Sequence, residues 1–371
     1  MDNSLFTHFN ELSDPRLDRK KEHPLINILL IAICGVICGA EDWVAIARFG
    51  KLKEAWFSQF LDLSHGIPSH DTFNRVFSLL DQEHFSQCFS EWVSQWANKI
   101  KEVIAIDGKA MRGTKNKVHN LGPLYLVNAW CCANNVVLGQ VPVDNKSNEI
   151  TAVPKLLDML DTSGAIVTRD AMGCQKDIAA KIKEKGGDYI FGLKGNQGNL
   201  YDDISLYMSS IERQEVKVDY QHHQTIDGEH GRIETREYWV CDVIDWLPEK
   251  SKWDGLNSVA MVKALREING EQSVEYRFYI SSLSIKKYKQ FTQAIRQHWQ
   301  VENSLHWCLD IGFDEDRWKS KIGNCAANMA IINKIALNLL KQEKSAKVGI
   351  KNKRLSAGWD ENYLLKVLGV V

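Results

Sequence analysis

Apolar positions recur at helical spacing through the first hundred residues. Leu25–Ala40 is apolar nearly throughout, broken only by Asn27, Gly35 and Gly39. Pro24 suits the first turn of a helix over Leu25–Gly39. The run is shorter than the ~20 residues a membrane span needs, so it predicts a buried helix. Asp42 is placed to cap a helix Trp43–Phe49 that stops near Gly50. Ala55–Leu61 is a further apolar-periodic stretch. In GIPSHDTFNRVFSLL, Gly66 and Pro68 break the chain and Ser69 is a natural cap. Phe73, Val76, Phe77 and Leu80 then form one apolar stripe. A last helix, His84–Ile100, carries Phe85, Phe89, Trp92, Val93 and Trp96. A short turn before a capped helix fits two readings: a helix-turn-helix that meets DNA, or an all-α packing domain with no ligand.

At residue 101 the period changes from helical to alternating. Val103–Ile106 predicts a strand ending at Asp107; Tyr125–Ala133 and Val136–Val143 predict two more around an Asn134-Asn135 turn. Helix Ile150–Leu160, strand Ala165–Thr168, helix Gln175–Lys185 and strand Tyr189–Leu193 follow. Three strands and then interleaved helices imply a mixed sheet with helices on its faces. From about 205 to 283 the pattern turns β-rich, with strands at Arg232–Val243, Ser258–Leu265 and Ser273–Ile280. A long helix Lys287–Leu309 and a further helix Ala326–Lys341 come next.

Composition narrows the class. Hydrophobic residues at 44% and charged residues at 25% describe an ordinary globular chain. A formal charge of -1 counts mildly against a nucleic-acid binder but leaves room for a local basic face. The segment KQEKSAKVGIKNKR is such a face, with Lys341, Lys344, Lys347, Lys351, Lys353 and Arg354 against Glu343. It reads as a solvated surface or as a phosphate contact. Nine cysteines without a C-x-x-C pair resemble neither a disulfide framework nor a zinc knuckle, which favours a cytoplasmic chain. The polar N-terminus has no apolar signal core, and no membrane partner is expected.

Three acids carry the candidate chemistry. Asp107 in VIAIDGKAMRG and Asp170 in IVTRDAMGCQ each follow an apolar strand and precede a glycine-containing loop. Glu302 lies in IRQHWQVENSLHWCLDIGFDED, where His298, Glu302, His306 and Asp310 recur every four residues and share one helix face. Three carboxylates suit two-metal phosphoryl transfer, with two Mg²⁺ or Mn²⁺ ions about 4 Å apart. Read alone, a strand-end Asp also serves as a turn or cap residue, and the stripe also fits a surface hydrogen-bond ladder.

With these residues in view, the chain resembles the DDE transposases of bacterial insertion sequences, and most closely the H-repeat-associated proteins. The resemblance runs through AIDGKAMRG, KSNEITAVPKLLDML, TRDAMGCQKDIA, GGDYIFGLKGNQ, RQHWQVENSLHWCLD and ENYLLKVL. It implies an α/β, ribonuclease-H-like mixed-sheet core over 101–204 and 284–345. It also implies a helical DNA-binding domain over 1–100, a β-rich insertion over 205–283 and a basic helical tail over 346–371. Asp107, Asp170 and Glu302 match the DDE triad. Lys109, Arg112, Lys194, Asn196 and Gln197 are implied DNA contacts, as are His298, Trp299, Asn303 and His306 around Glu302. His70, Thr72, Asn74 and Arg75 are the polar candidates of the capped N-terminal helix.

One departure stands out. Wider relatives carry Tyr, Arg and Lys where this chain has Ile295, His298 and Leu309, so that phosphate-binding device is missing or moved, with Lys319 and Lys321 as stand-ins. Asp310, Asp314, Glu315 and Asp316 form an acid cluster that could supply another metal ligand. The implied activity is Mg-dependent cleavage and strand transfer of double-stranded DNA by a bacterial, nucleoid-associated protein that is a homodimer when DNA-bound. The alternatives are a catalytically inactive or domesticated DNA-binding relative, and a metal-dependent nuclease without strand transfer.

Overall fold

A computed structural model describes residues 7–97, 103–115, 122–143, 149–229 and 232–370. The expected helix end at Ile100 and the change of pattern at residue 101 lie outside the described residues. In chain order the helices before the first strand are α1 (Leu25–Ile37), α2 (Trp43–Leu52), α3 (Glu54–Phe57), α4 (His70–Leu79) and α5 (Gln82–Ala97). Then come β1 (Val103–Met111), β2 (Leu124–Cys131), β3 (Val136–Val143), α6 (Glu149–Asp158), β4 (Ile166–Arg169), α7 (Lys176–Glu184), β5 (Asp188–Leu193) and α8 (Asn199–Glu212). Strands β6 (Gln221–Glu229), β7 (Arg232–Cys241), β8 (Ser258–Ile268) and β9 (Glu271–Ser281) follow. The chain closes with α9 (Tyr288–His298), a π-helical turn (Val301–His306), α10 (Trp307–Phe313), α11 (Cys325–Gln342), α12 (Ile350–Trp359) and α13 (Glu361–Val367). The fold is mixed α/β, and no helix among the described residues is long and apolar enough to cross a membrane.

Two compact units divide the chain: Met1–Lys99 with Gly108–Leu160 and Val301–Val371, and Ile100–Asp107 with Asp161–Gln300. The first is organised around α11, buried along nearly its whole length and packed on α1, α4, α5 and β3. Its buried amides satisfy backbone groups that apolar residues would leave open. Asn328 donates to the carbonyls of Phe77 and Leu80 (2.8 and 2.9 Å), and Gln140 to that of Ala327 (3.1 Å). Asn338 accepts from the Val137 amide (2.8 Å) and donates to its carbonyl (2.9 Å). The predicted caps are present: Asp42 accepts from the Ala45 amide and Ser69 from that of Thr72. β2 and β3 pair antiparallel from Tyr125↔Val143 to Cys131↔Val136, and Asn135 takes a left-handed φ of 54° in their turn.

In the second unit the strands run in the order β1-β4-β5-β9-β8-β7-β6. β1, β4 and β5 are parallel and the rest antiparallel, with β9 joined to β5 from Ile190↔Ser281 to Leu193↔Phe278. The strands of the expected insertion thus extend the same sheet. α9 packs on β4, β5 and β6.

Three expectations need correction, and one strand, β6, had no counterpart among them. β1 does not stop at Asp107 but continues to Met111, because Lys109 and Met111 are buried beyond it. β6, QHHQTIDGE, has one aliphatic residue, Ile226, and that side chain is exposed; backbone pairing with β7 makes the strand, not an apolar face. The single helix expected over Lys287–Leu309 is interrupted after α9 by the π turn Val301–His306. The basic tail is partly internal: Lys353 donates to the carbonyls of Leu340 and Glu343, and Arg354 to those of Val36 and Gly312.

Candidate active site

Sheet register places the first two acids. Val103↔Ile166, Ile104↔Val167 and Ala105↔Thr168 pair across parallel β1 and β4. Asp107 and Asp170 each lie two residues beyond the last of these pairs. Both residues are half-buried.

Asp170 is held from several directions. Its Oδ1 accepts from the Gly173 amide (3.2 Å), closing the turn Ala171–Gly173. Arg169, 2% exposed, passes beneath that turn, and a methyl group on Gly173 would overlap its guanidinium. Asn196 donates to the Ala171 carbonyl (3.1 Å) and Gln197 to that of Cys174 (2.8 Å). These amides, read from sequence as DNA donors, are therefore engaged with the Asp170 loop. Lys194, at the start of the same segment, is exposed.

His298 ends α9 in the second unit, and its Nδ1 lies 2.9 Å from Thr168 Oγ1. Burial pushes the imidazole down to about 4, outweighing the upward pull of Asp170, while Arg169 and Arg277 add to the fall. The ring is thus neutral at pH 7. Trp299 is exposed, with the Arg277 guanidinium 4.6 Å from its ring centroid.

The remaining candidates belong to the first unit. Glu302 and Asn303 are exposed on the π turn. His306 is buried, and burial, with Lys109 and Lys334, pushes it down to about 3. Lys109 is 7% exposed, with its Nζ 2.6 Å from Asp310, 3.4 Å from Asp316 and 3.7 Å from Glu315. Burial opposes its charge, but these carboxylates outweigh it and raise its pKa. Arg112 is exposed and pairs with Asp316 at 3.6 Å. On α4, His70 and Arg75 are exposed and Thr72 is half-buried, while Asn74 Oδ1 accepts from Ser320 (3.0 Å). Lys319 and Lys321 are exposed, and Lys321 donates to the Lys115 carbonyl.

Sequence reasoning did not single out Glu149. Its carboxylate fills the space at Gly108, where any side chain would overlap it. The segment KSNEITAVPKLLDML contained that signal, but no periodicity tied it to Gly108.

The donor set suits a hard divalent cation in one respect: Asp107 and Asp170 each offer carboxylate oxygens two residues beyond the paired stretch of β1 and β4. Among the described residues, no three His, Cys, Asp or Glu side chains stand together as a ready ligand set.

The chain matches two family models, one described as DDE_Tnp_1-associated over residues 6–93 and one as Transposase DDE domain over residues 98–339. It is 41% identical to the H repeat-associated putative transposase YhhI of Escherichia coli K12, covering 98% of this chain and 97% of that protein. It is 40% identical to the putative transposase YncI of Escherichia coli O157:H7, covering 98% of this chain and 94% of that protein. A solved piggyBac transposase synaptic complex with hairpin DNA aligns over 99% of this chain and 76% of that chain, at 10% identity and a TM-score of 0.41. The chain belongs to the DDE transposase family, with the H repeat-associated transposases of Escherichia coli among its relatives.

Proposed function

We propose that this chain cuts and joins double-stranded DNA at the ends of an insertion-sequence element, using Asp107, Asp170 and Glu302 on a ribonuclease-H-like core. The observation that supports this reading is that Asp107 and Asp170 each lie two residues beyond the last paired positions of adjacent parallel strands. Those two side chains would hold Mg²⁺ or Mn²⁺, and Glu302 would complete the set once DNA is in place. When bound, the divalent ions neutralise phosphodiester charge and activate the attacking oxygen. The protein's own part is alignment: the Asp170 loop is fixed by Asn196, Gln197 and Gly173, and neutral His298 steadies Thr168 beside it.

Phosphate contacts in this reading come from exposed Lys194, Arg112 and Arg75, with exposed His70 on the same helix as Arg75. Trp299 with Arg277, and exposed Asn303, offer further contacts beside Glu302. Lys109 and His306 drop out as DNA contacts because they are buried. Joining two ends calls for a homodimer on DNA, in the cytoplasm of a bacterium.

The test uses a duplex carrying the inverted repeats that flank the gene. Mg-dependent nicking and joining of precut ends, both lost in Asp107→Asn, is the expected outcome. Nicking without joining would identify a nuclease. Binding of the duplex without nicking, unchanged by Asp107→Asn, would identify an inactive DNA-binding relative.

A further inference from the structure

Lys109 lies two residues beyond Asp107 on the same strand, and its ammonium is enclosed within the first unit, to which it belongs. There it meets three carboxylates, all within the fifteen residues that follow Glu302. Asp310 lies on α10, while Glu315 and Asp316 lie in the short turn after it. Glu315 is 1% exposed and stands 3.9 Å from the Lys334 ammonium, which is fully buried in α11. Asn333 donates to the same carboxylate (3.3 Å). Beyond Lys109 the seam continues. The Arg112 amide donates to Asp316 Oδ1 (3.1 Å), and a side chain on Gly113 would overlap the carbonyls of Asp316 and Trp318.

A lysine this enclosed cannot also reach a DNA phosphate. Its charge is already shared among three acids, and desolvated ion pairs are strong only while every partner stays in place. What it joins is informative: the strand that carries Asp107 and the chain segment that leaves Glu302. Glu302 itself is exposed on the π turn, and Lys109 holds the segment that follows it.

We propose that Lys109 is a positioning residue: it ties β1 to the segment after Glu302 and so tunes metal affinity and cleavage without touching DNA. The proposal rests on the triad reading above. Ligands one layer out from a metal typically change affinity or activity about 10–100-fold when lost, and that is the scale expected here.

The test compares Lys109→Met, Lys109→Arg and the milder Asp310→Asn, whose side chain is partly exposed, in the full-length protein. Amide hydrogen exchange across residues 307–318 should quicken by about ten-fold in Lys109→Met and less in Asp310→Asn, with Lys109→Arg close to wild type. With Mn²⁺ as the probe, half-saturation should move up by about ten-fold in Lys109→Met. The salt dependence of DNA binding should stay as in wild type, whereas a lost phosphate contact would lower its slope by about 1. Unchanged exchange in both Lys109→Met and Asp310→Asn overturns the brace, even if Lys109→Met folds poorly. Faster exchange with unchanged Mn²⁺ affinity overturns its role in metal binding. If wild type takes up no Mn²⁺, the triad reading fails, and exchange alone decides whether the brace exists.

Discussion

The second and third acids of the candidate triad are held by different means. Asp170 closes a turn through the Gly173 amide, and that turn is gripped by Asn196 and Gln197 and underlain by Arg169. Glu302 is exposed on a π turn, and its segment is anchored further on, where Asp310, Glu315 and Asp316 meet Lys109. A gripped turn holds one carboxylate, while buried charge sets the course of the chain beyond the other. In the proposed site the Asp170 turn would be the preformed edge and Glu302 the edge whose position depends on ion pairs.

The largest expected effect breaks the preformed edge. Asp107→Asn or Asp170→Asn should lower DNA cleavage by roughly 10³-fold or more, since several kcal/mol of charge stabilisation is lost. Melting temperature should barely change, because both side chains are half-buried and asparagine keeps their shape. Equal loss in Glu302→Gln would show that both edges serve one centre; near wild-type cleavage in that variant would remove Glu302 from the triad.

Next in size is Gly173→Ala. The added methyl overlaps buried Arg169, so the variant should lose about 1–3 kcal/mol in denaturant unfolding. Wild-type stability would mean that Arg169 has room to move and that the Asp170 loop is less tightly built than its contacts suggest.

Acid separates the edges more finely. His298 and His306 both sit below the ordinary histidine value of 6.5, at about 4 and about 3, with burial as the leading cause. A lowered folded-state value makes each ring a source of stability above about pH 6.5, and that stability drains as pH falls through the folded values. Melting temperature should therefore decline between about pH 6.5 and pH 4. His298→Gln should flatten the first part of that decline. An unaltered profile in this variant would show that His298 is protonated in the folded chain.

The smallest effect is Asn196→Ala. One net hydrogen bond to the Ala171 carbonyl is worth about 0.5–1.5 kcal/mol, so Mn²⁺ half-saturation should rise a few-fold. A fall in DNA affinity with unchanged metal binding would return Asn196 to the role of DNA donor.

Much of the scaffold was legible in the chain. Asp42 and Ser69 announced their helices because a capping side chain acts within three residues. The β-branched runs before Asp107 and Asp170 announced their strands. What stayed hidden depends on partners far along the chain. Lys109 looked like a phosphate contact because Asp310 and Asp316 are about two hundred residues away. β6 has no apolar alternation, so only its pairing with β7 defines it. The π turn interrupts a helical period that the sequence continues without a break. Arg354 read as surface charge because its acceptors, the Val36 and Gly312 carbonyls, belong to other elements.

The most direct test of the shared metal site is affinity cleavage with Fe²⁺ in place of Mg²⁺, with ascorbate and peroxide added and DNA bound. Hydroxyl radicals formed at the ion cut nearby backbone. Breaks clustered at residues 107, 170 and 302, all three absent in Asp107→Asn, are the predicted result. Breaks confined to other segments, or a pattern indifferent to Asp107, would contradict it.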